Sequence, residues 1–297
     1  MEVVPSASGA PYPYTLAPLN EALDTPPISS DSEMINRIHG PAVHWKESCL
    51  TCHGRKFFRT RLRDGEVVTV ECNCREQWVL NRRMQAANID ANYARLSWHQ
   101  VRGVPDDVVE TVRAYIREIV QHRRSGLGLT LWGTRRGTGK TLLTTLILKE
   151  AMAAQPGTRV YFARFYDLIN LYSRTWKDES AERWFVQSVE NAHFLGIDDI
   201  GKESAQSTAA IGMVDQLLDR MLRGRIANHR VNIVNSNLDP ESDVVGTGFE
   251  RYQQDVLELL SEVNEAIELT GPSFRKIRRE QKLADARDGV VYPVVVR

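Results

Sequence analysis

The sequence predicts an α/β protein: a parallel β-sheet with helices on both faces, preceded by a small zinc-hairpin module. Three observations carry this. Beyond about residue 128, short apolar runs alternate with stretches of helical spacing, the pattern of strands joined by crossover helices. The run Gly133-Thr134-Arg135-Arg136-Gly137-Thr138-Gly139-Lys140-Thr141 stands between one such strand and a helix. Glycines there let backbone N–H groups close around phosphate oxygens at a helix N-terminus. All four cysteines, Cys49, Cys52, Cys72 and Cys74, fall in one window, a grouping that favours a metal site over dispersed thiols.

Residues 1–44 read as a flexible arm, with Pro5, Pro11, Pro13, Pro18, Pro26 and Pro27 among small polar residues and no sustained apolar period. Residues 45–91 read as the zinc module and its helix. Lys56 to Arg63 and Glu66 to Cys72 are strands around an Asp64-Gly65 turn, and Glu76 to Ile89 has helical spacing. Residues 92–297 read as the nucleotide-binding domain. After a connector over 92–104, a helix starts at Asp106-Asp107 and runs through Ile119. The strand Leu129–Trp132, the glycine-rich loop and a helix to Ala154 follow. A strand from Arg159 to Ala163, a helix from Tyr166 to Tyr172 and a polar helical stretch to Asn191 come next. The remaining elements are a strand from His193 to Ile197, a helix from Thr208 to Ala227, a strand from Val231 to Val234 and a helix from Val256 to Ile267. Val290 to Val296 is β-prone, with Pro293 limiting it to an edge.

The bulk composition sets the class. The chain has 297 residues, 42% hydrophobic and 26% charged, with 38 basic side chains against 38 acidic ones. That describes a globular protein of about two domains. With no net charge, nucleic-acid binding has to come from local patches. No segment has the length of a membrane span, and Met1-Glu2-Val3-Val4-Pro5 lacks the features of a secretory signal. The expected location is the cytoplasm.

The chemistry lies in a few places. Four thiolates suit tetrahedral Zn²⁺ in a closed, structural site, with His44 and His53 as substitute ligands. On the hairpin, Arg55, Phe57, Arg59, Arg61 and Arg63 share one face. That face suits nucleic acid or an acidic partner, or is simply a solvated strand face. In the glycine-rich loop, Gly137, Thr138 and Gly139 supply the cradle, Lys140 reaches the β/γ-phosphates of ATP and Thr141 holds Mg²⁺. Gly133 lies one residue too early for the usual G-x4-G-K-T spacing. Phe194-Leu195-Gly196-Ile197-Asp198-Asp199 is an apolar strand ending in two carboxylates. Asp198 suits the metal and Asp199 the attacking water. Asn237 ends a further strand, where ligands bind in open α/β sheets, and can bond the γ-phosphate or the water.

The series G-T-G-K-T, F-L-G-I-D-D-I-G and N-S-N-L resembles the AAA+ ATPases of the DnaC/DnaI helicase-loader and IstB group. Cys72-Asn73-Cys74-Arg75-Glu76-Gln77 with Asn88-Ile89-Asp90-Ala91-Asn92-Tyr93 looks like the link that follows the zinc module in such loaders. The resemblance covers residues 45–282. It implies an ATPase that self-associates into AAA+ oligomers. It also implies an N-terminal module that binds a hexameric replicative helicase and delivers it to single-stranded DNA, in a phage or another mobile element. An IstB-like helper of a transposase and a low-turnover nucleotide-binding adaptor are the alternatives. The stretch from Tyr172 to Trp184 lies where loaders carry a DNA-contacting helix. Arg174, Lys177 and Arg183 with Trp176 and Trp184 fit a surface of stacking and charge, or an ordinary amphipathic helix with buried tryptophans. The family's S-R pair is absent, which leaves Arg251 as the nearest arginine finger. Gly271-Pro272-Ser273-Phe274-Arg275 resembles the family's ending, with Arg275 either structural or nucleotide-sensing.

Overall fold

The computed structural model describes residues 16–17, 52, 55–62, 66–72, 74–155, 157–201, 208–240 and 254–288. Cys49, His44, His53, the Asp64-Gly65 turn, Arg251 and the 290–296 segment lie outside the described residues. The chain divides into two compact units, one drawn from residues 1–85, 90–95 and 280–295, the other from 86–89, 96–279 and 296–297.

In the first unit β2 (Phe57–Leu62) and β3 (Val67–Glu71) form the antiparallel hairpin that the sequence predicts, with Phe57 opposite Glu71 and Arg61 opposite Val67. The segment read as a flexible arm contributes a short strand, β1 (Leu16–Ala17), which pairs antiparallel with β2. The alternation of the hairpin holds. Arg55, Phe57 and Arg59 are exposed, whereas Thr60 is buried. Helix α1 (Cys74–Ala86) starts earlier and stops earlier than its spacing predicts, and α2 (Ala91–Ala94) is capped by the Asp90 carboxylate, which accepts the Asn92 N–H.

The second unit is a five-stranded parallel sheet. Helices α3 (Asp106–Arg117) and α4 (Ile119–Ser125) precede β4 (Gly128–Trp132). Then come α5 (Lys140–Ala154), β5 (Val160–Arg164), α6 (Phe165–Thr175), α7 (Glu179–Phe185) and β6 (Phe194–Ile200). Helix α8 (Thr208–Ala227), β7 (Val231–Ser236), α9 (Gln254–Val263) and β8 (Asn264–Glu268) complete the order, and α10 (Arg275–Arg287) follows, its residues from 280 on belonging to the first unit. The strands lie in the order β5-β6-β7-β4-β8, so the central strand β7 is flanked by the strands that carry the two nucleotide motifs.

The helices divide between the faces. Helix α5 packs with α3 and α4 on one side, and its run from Leu143 to Lys149 is buried without interruption. On the other side Phe165, Leu168, Phe185, Leu217 and Leu222 pack with Leu195 and Val234 of the sheet. Burial of this apolar surface is the main stabilising term, about 2 kcal/mol for each large side chain. Arg225, fully buried on α8, acts as a strut. It donates to Asn232 Oδ1 at 2.6 Å and to the carbonyls of Val231 (2.6 Å), Val189 (2.7 Å), Ala192 (3.0 Å) and Glu190 (3.1 Å).

One element corrects the sequence reading. The helix expected over 256–267 ends at Val263, and Asn264–Glu268 is a strand parallel to β4. Gly128 makes that pairing possible. A Cβ on it would lie 2.1 Å from Asn232 O and 2.4 Å from Asn264 Oδ1, so only glycine fits between the two neighbouring strands.

Candidate functional site: a phosphate-binding loop facing an acidic strand end

Strands β4 and β6 end at the same edge of the sheet, on either side of β7. The glycine-rich loop leaves β4 there. Three of its glycines have left-handed or otherwise glycine-type backbone: Gly133 (φ 155°), Gly137 (φ 84°) and Gly139 (φ 105°), the last standing directly before α5. The Lys140 ammonium, almost fully buried, donates to Gly133 O at 2.7 Å and to Arg135 O at 3.1 Å, and lies 3.4 Å from Thr138 Oγ1. These oxygens fill the place that phosphate oxygens take in a loop of this kind.

The second motif meets the first directly. Thr141 Oγ1 lies 3.1 Å from both carboxylate oxygens of Asp198. A hydroxyl and a carboxylate so placed could hold Mg²⁺, which takes hard oxygen donors. Asp199 has the left-handed φ of 63° and sits in a register irregularity between Ile197 and Ile200 of β6. Non-glycine residues pay for that backbone with strain, and such strain concentrates where a side chain is aimed for function. Asp198 is buried and Asp199 half-buried.

The contact that the sequence reading missed is Asn235. Its amide donates to Asp198 Oδ1 at 2.7 Å and its carbonyl oxygen accepts from Thr144 Oγ1 at 2.7 Å. Asn235 is 1% exposed, so this side chain ties α5 to β6 through β7 and fixes which way the Asp198 carboxylate faces. Asn237, the residue chosen from the sequence, lies two positions on, half-buried in the bend after β7. The signal was available: asparagine is poorly suited to a strand, so a buried one needs partners.

Residues 271–275 close over the loop. Phe274 N–H donates to Gly137 O at 3.0 Å, and a Cβ on Gly137 would lie 2.5 Å from Ser273 Oγ and 3.1 Å from Arg275 Cγ. The Arg275 side chain therefore lies against the middle of the phosphate loop. Val104 covers Gly139 from the other side, within 2.9 Å of where its Cβ would be.

The proposed DNA-contacting residues lie on α6, α7 and the turn between them. Arg174, Lys177 and Arg183 are exposed, Arg183 within 3.5 Å of Glu179. Trp176 and Trp184 are 57% and 41% exposed, each in an edge-on contact with a tyrosine, Tyr172 and Tyr161 respectively. Of the four cysteines, Cys52 and Cys72 are buried. Lys56 N–H donates to Cys52 Sγ at 3.2 Å, and Cys72 N–H donates to Lys56 O at 2.8 Å. Among the described residues no group of three or more His, Cys, Asp or Glu side chains gathers to hold a metal, and no helix is long and apolar enough to cross a membrane.

Comparisons with known proteins bear on the fold and the family. No curated protein matches the chain. Among solved structures, the DnaI structure is similar over 61% of this chain and 94% of its own, at 18% identity and a TM-score of 0.50. The DnaC helicase loader aligns over 56% of this chain and 89% of its own, at 26% identity and a TM-score of 0.47. A primosome component from Streptococcus pyogenes serotype M3 aligns over 63% and 92%, at 19% identity and a TM-score of 0.47. The family described as IstB-like ATP binding protein matches residues 50–282. The chain belongs to that family of ATP-binding proteins.

Proposed function

We propose that this protein is an ATPase of the AAA+ class that loads a hexameric replicative helicase onto single-stranded DNA. The observation that carries the nucleotide chemistry is the direct contact of Thr141 with Asp198 beside the buried Lys140. Bound Mg·ATP supplies the phosphoanhydride and the charge that its ion neutralises. Lys140 would exchange its loop carbonyls for phosphate oxygens, Thr141 and Asp198 would hold the ion, and Asn235 would keep the Asp198 carboxylate aimed at it. Asp199 takes the proton of the attacking water, with Asn237 orienting that water or the terminal phosphate. In an oligomer Arg251 would be the finger that completes a neighbouring copy's site.

The exposed Trp176 and Trp184 beside Arg174, Lys177 and Arg183 support the single-stranded DNA surface. The helicase is held by the N-terminal module. In that module Cys49, Cys52, Cys72 and Cys74 would hold a structural Zn²⁺. The Lys56 N–H aimed at Cys52 Sγ is the kind of second-shell bond that a metal-bound thiolate accepts. Removal of zinc by a chelator is expected to abolish helicase capture without abolishing ATP binding. A second reading, a low-turnover nucleotide switch, is favoured by the absent S-R pair and by the extra residue in the phosphate loop.

Two measurements test this reading. Single-stranded DNA should stimulate ATP turnover, and Arg251→Ala should lower it by about 10³-fold, the scale of an arginine finger. The full chain should retain a replicative helicase on a column in the presence of ATP. Normal turnover in the Arg251 variant removes the finger. Failure to retain any helicase removes the loader.

A further inference from the structure

Three adjacent strands of the parallel sheet begin with a basic residue at the same level. Val160 of β5 is the register partner of Phe194 of β6, and Phe194 is the partner of Val231 of β7. The residues immediately before them are Arg159, His193 and Arg230. They therefore stand side by side along the amino edge of the sheet, at the far end of the strands from the nucleotide loop. Arg123, in the last turn of α4, joins them. One of its guanidinium nitrogens donates to Gln155 Oε1 at 2.6 Å and Thr158 Oγ1 at 2.9 Å, and the other lies 3.0 Å from His193 Nε2.

The group has no carboxylate to balance it. Among the described residues no ion pair reaches Arg123, Arg159 or Arg230. Glu190, the acidic side chain on the adjoining turn, is taken by Arg220 at 2.8 Å. Arg159 donates to Asn191 O at 3.1 Å, and Arg230 Nε is buried with no acceptor. Like charges held together cost free energy unless an anion offsets them. The imidazole records the imbalance. Burial first, then Arg123, Arg230, Arg159 and Arg225, push the His193 pKa down to about 4.

His193 also faces more donors than it can accept from. Arg159 N–H points at Nδ1 at 2.9 Å and Arg123 at Nε2, yet neutral imidazole has one acceptor nitrogen and one N–H. An oxyanion that drew the Arg123 fork toward itself would leave Nε2 free to carry the proton and donate it to the same anion.

We infer that Arg123, Arg159, His193 and Arg230 form a binding site for the phosphodiester backbone of a nucleic acid, on the edge of the sheet opposite the ATP site. Guanidinium forks match phosphate oxygens two at a time. Arg124 and His229, both exposed, extend the basic edge beyond the central four. The site needs neither ATP nor a helicase. Its residues differ from those of the tryptophan-bearing surface of α6 and α7, which comes near it where Trp184 meets Tyr161, two residues along the chain from Arg159.

Binding of a fluorescent (dT)20 and of a 20-base-pair duplex is measured without ATP across a salt series, for the wild type and for Arg159→Gln/Arg230→Gln. The double variant should bind the preferred probe about 10-fold more weakly, and its salt slope should fall by about two, one for each lost phosphate contact. Arg159→Lys/Arg230→Lys should recover the slope. The two probes distinguish single-stranded from duplex backbone. Hydrogen exchange on the unmodified protein provides a readout that needs no variant, with the probe expected to slow exchange at 158–160, 191–194 and 229–231. Unchanged affinity and slope in the variant, or no protection of these segments, overturns the site. Protection by a poly-glutamate peptide equal to that by either nucleic acid also overturns it, in favour of an acidic protein segment. A Trp176→Ala/Trp184→Ala variant run in parallel separates this outcome from failure of the single-stranded DNA surface proposed above.

Discussion

Replacing Asn235 with alanine is the sharpest test of how the nucleotide site is held. The substitution removes two hydrogen bonds of 2.7 Å each, one from the buried Thr144 hydroxyl and one to the Asp198 carboxylate. A neutral buried bond contributes about 1 kcal/mol and one to a charged group about 2 kcal/mol. The loss of stability should therefore be about 3 kcal/mol, which lowers the melting temperature by about 6–12 °C in a domain of this size. The functional effect should exceed the structural one. Asp198 keeps its contact with Thr141 but loses the amide that orients it, so the carboxylate turns more readily away from the metal position. Loss of an outer-shell partner weakens metal binding by about 10–100-fold. The assay is a Mg²⁺ titration at saturating ATP, well below the melting temperature, reading turnover or binding of a fluorescent nucleotide. The half-saturating Mg²⁺ concentration should rise about 10-fold or more, while turnover at saturating Mg²⁺ falls far less. Asn235→Asp keeps the shape but sets one carboxylate against another, and should also weaken the site. If Asn235→Ala melts early yet titrates with Mg²⁺ as the wild type does, Asn235 is a core residue and does not position Asp198.

Three further outcomes follow from individual contacts. Gly137→Ala adds a Cβ within 2.5 Å of Ser273 Oγ at a φ of 84°, so nucleotide affinity should drop at least 10-fold by equilibrium binding, with a modest change in melting temperature. Lys149 is fully buried on α5 and donates to Leu96 O, and burial lowers its pKa from 10.5 to about 8. The unfolded chain therefore holds the extra proton between about pH 8 and 10.5, and stability rises with pH through that window. The charged form costs about 3 kcal/mol below it, so Lys149→Met should raise stability at pH 7 by about 2 kcal/mol after loss of the carbonyl contact. That advantage should disappear by pH 10.5 in denaturant melts. Arg225→Leu leaves Asn232 and four carbonyls short of a donor at a fully buried position. It should cost more than about 3 kcal/mol by the same measurement, a far larger loss than a surface arginine gives.

The parts of this fold that were legible in the sequence are those whose local chemistry has one solution. A run of glycines between an apolar strand and a helix has little else to be, and the loop around Lys140 lies where the pattern places it. The two carboxylates after Ile197 marked the site but not the strand end, since β6 runs on through Asp198 and Asp199 to Ile200. Strand β8 was not legible. Asn264-Glu265-Ala266-Ile267-Glu268 contains good helix formers and only Asn264 and Ile267 are buried, so its local preference favours the preceding helix. Pairing with β4, a partner far away in sequence, decides the matter. Asn235 was hidden for a related reason. Its importance comes from Thr144 and Asp198, on two other elements, and no spacing within β7 separates it from Asn232 or Asn237. The amino-edge arginines are the extreme case. Arg123, Arg159 and Arg230 are scattered single residues until the parallel register sets the strand starts side by side.

That register also predicts how the two ends of the sheet behave together. His193 and Asp198 bracket β6, five residues apart, so about 17 Å of extended strand separates the basic edge from the metal-binding carboxylate. Among the described residues no side-chain hydrogen bond joins the two ends. Arg225 is bonded to carbonyls and Asn232 near the amino edge, whereas Asn235 reaches Thr144 and Asp198. Sites so far apart without common partners have additive effects to within about 0.5 kcal/mol. Combining Asn235→Ala with Arg159→Gln should therefore weaken Mg²⁺ dependence and nucleic-acid affinity by the same factors as the single changes. If the double variant departs from that product by more than about threefold in either assay, the sheet cannot be a rigid spacer. It would then have to move between two arrangements that ATP and nucleic acid each favour, and the ATP-free affinity for nucleic acid would change when nucleotide is added.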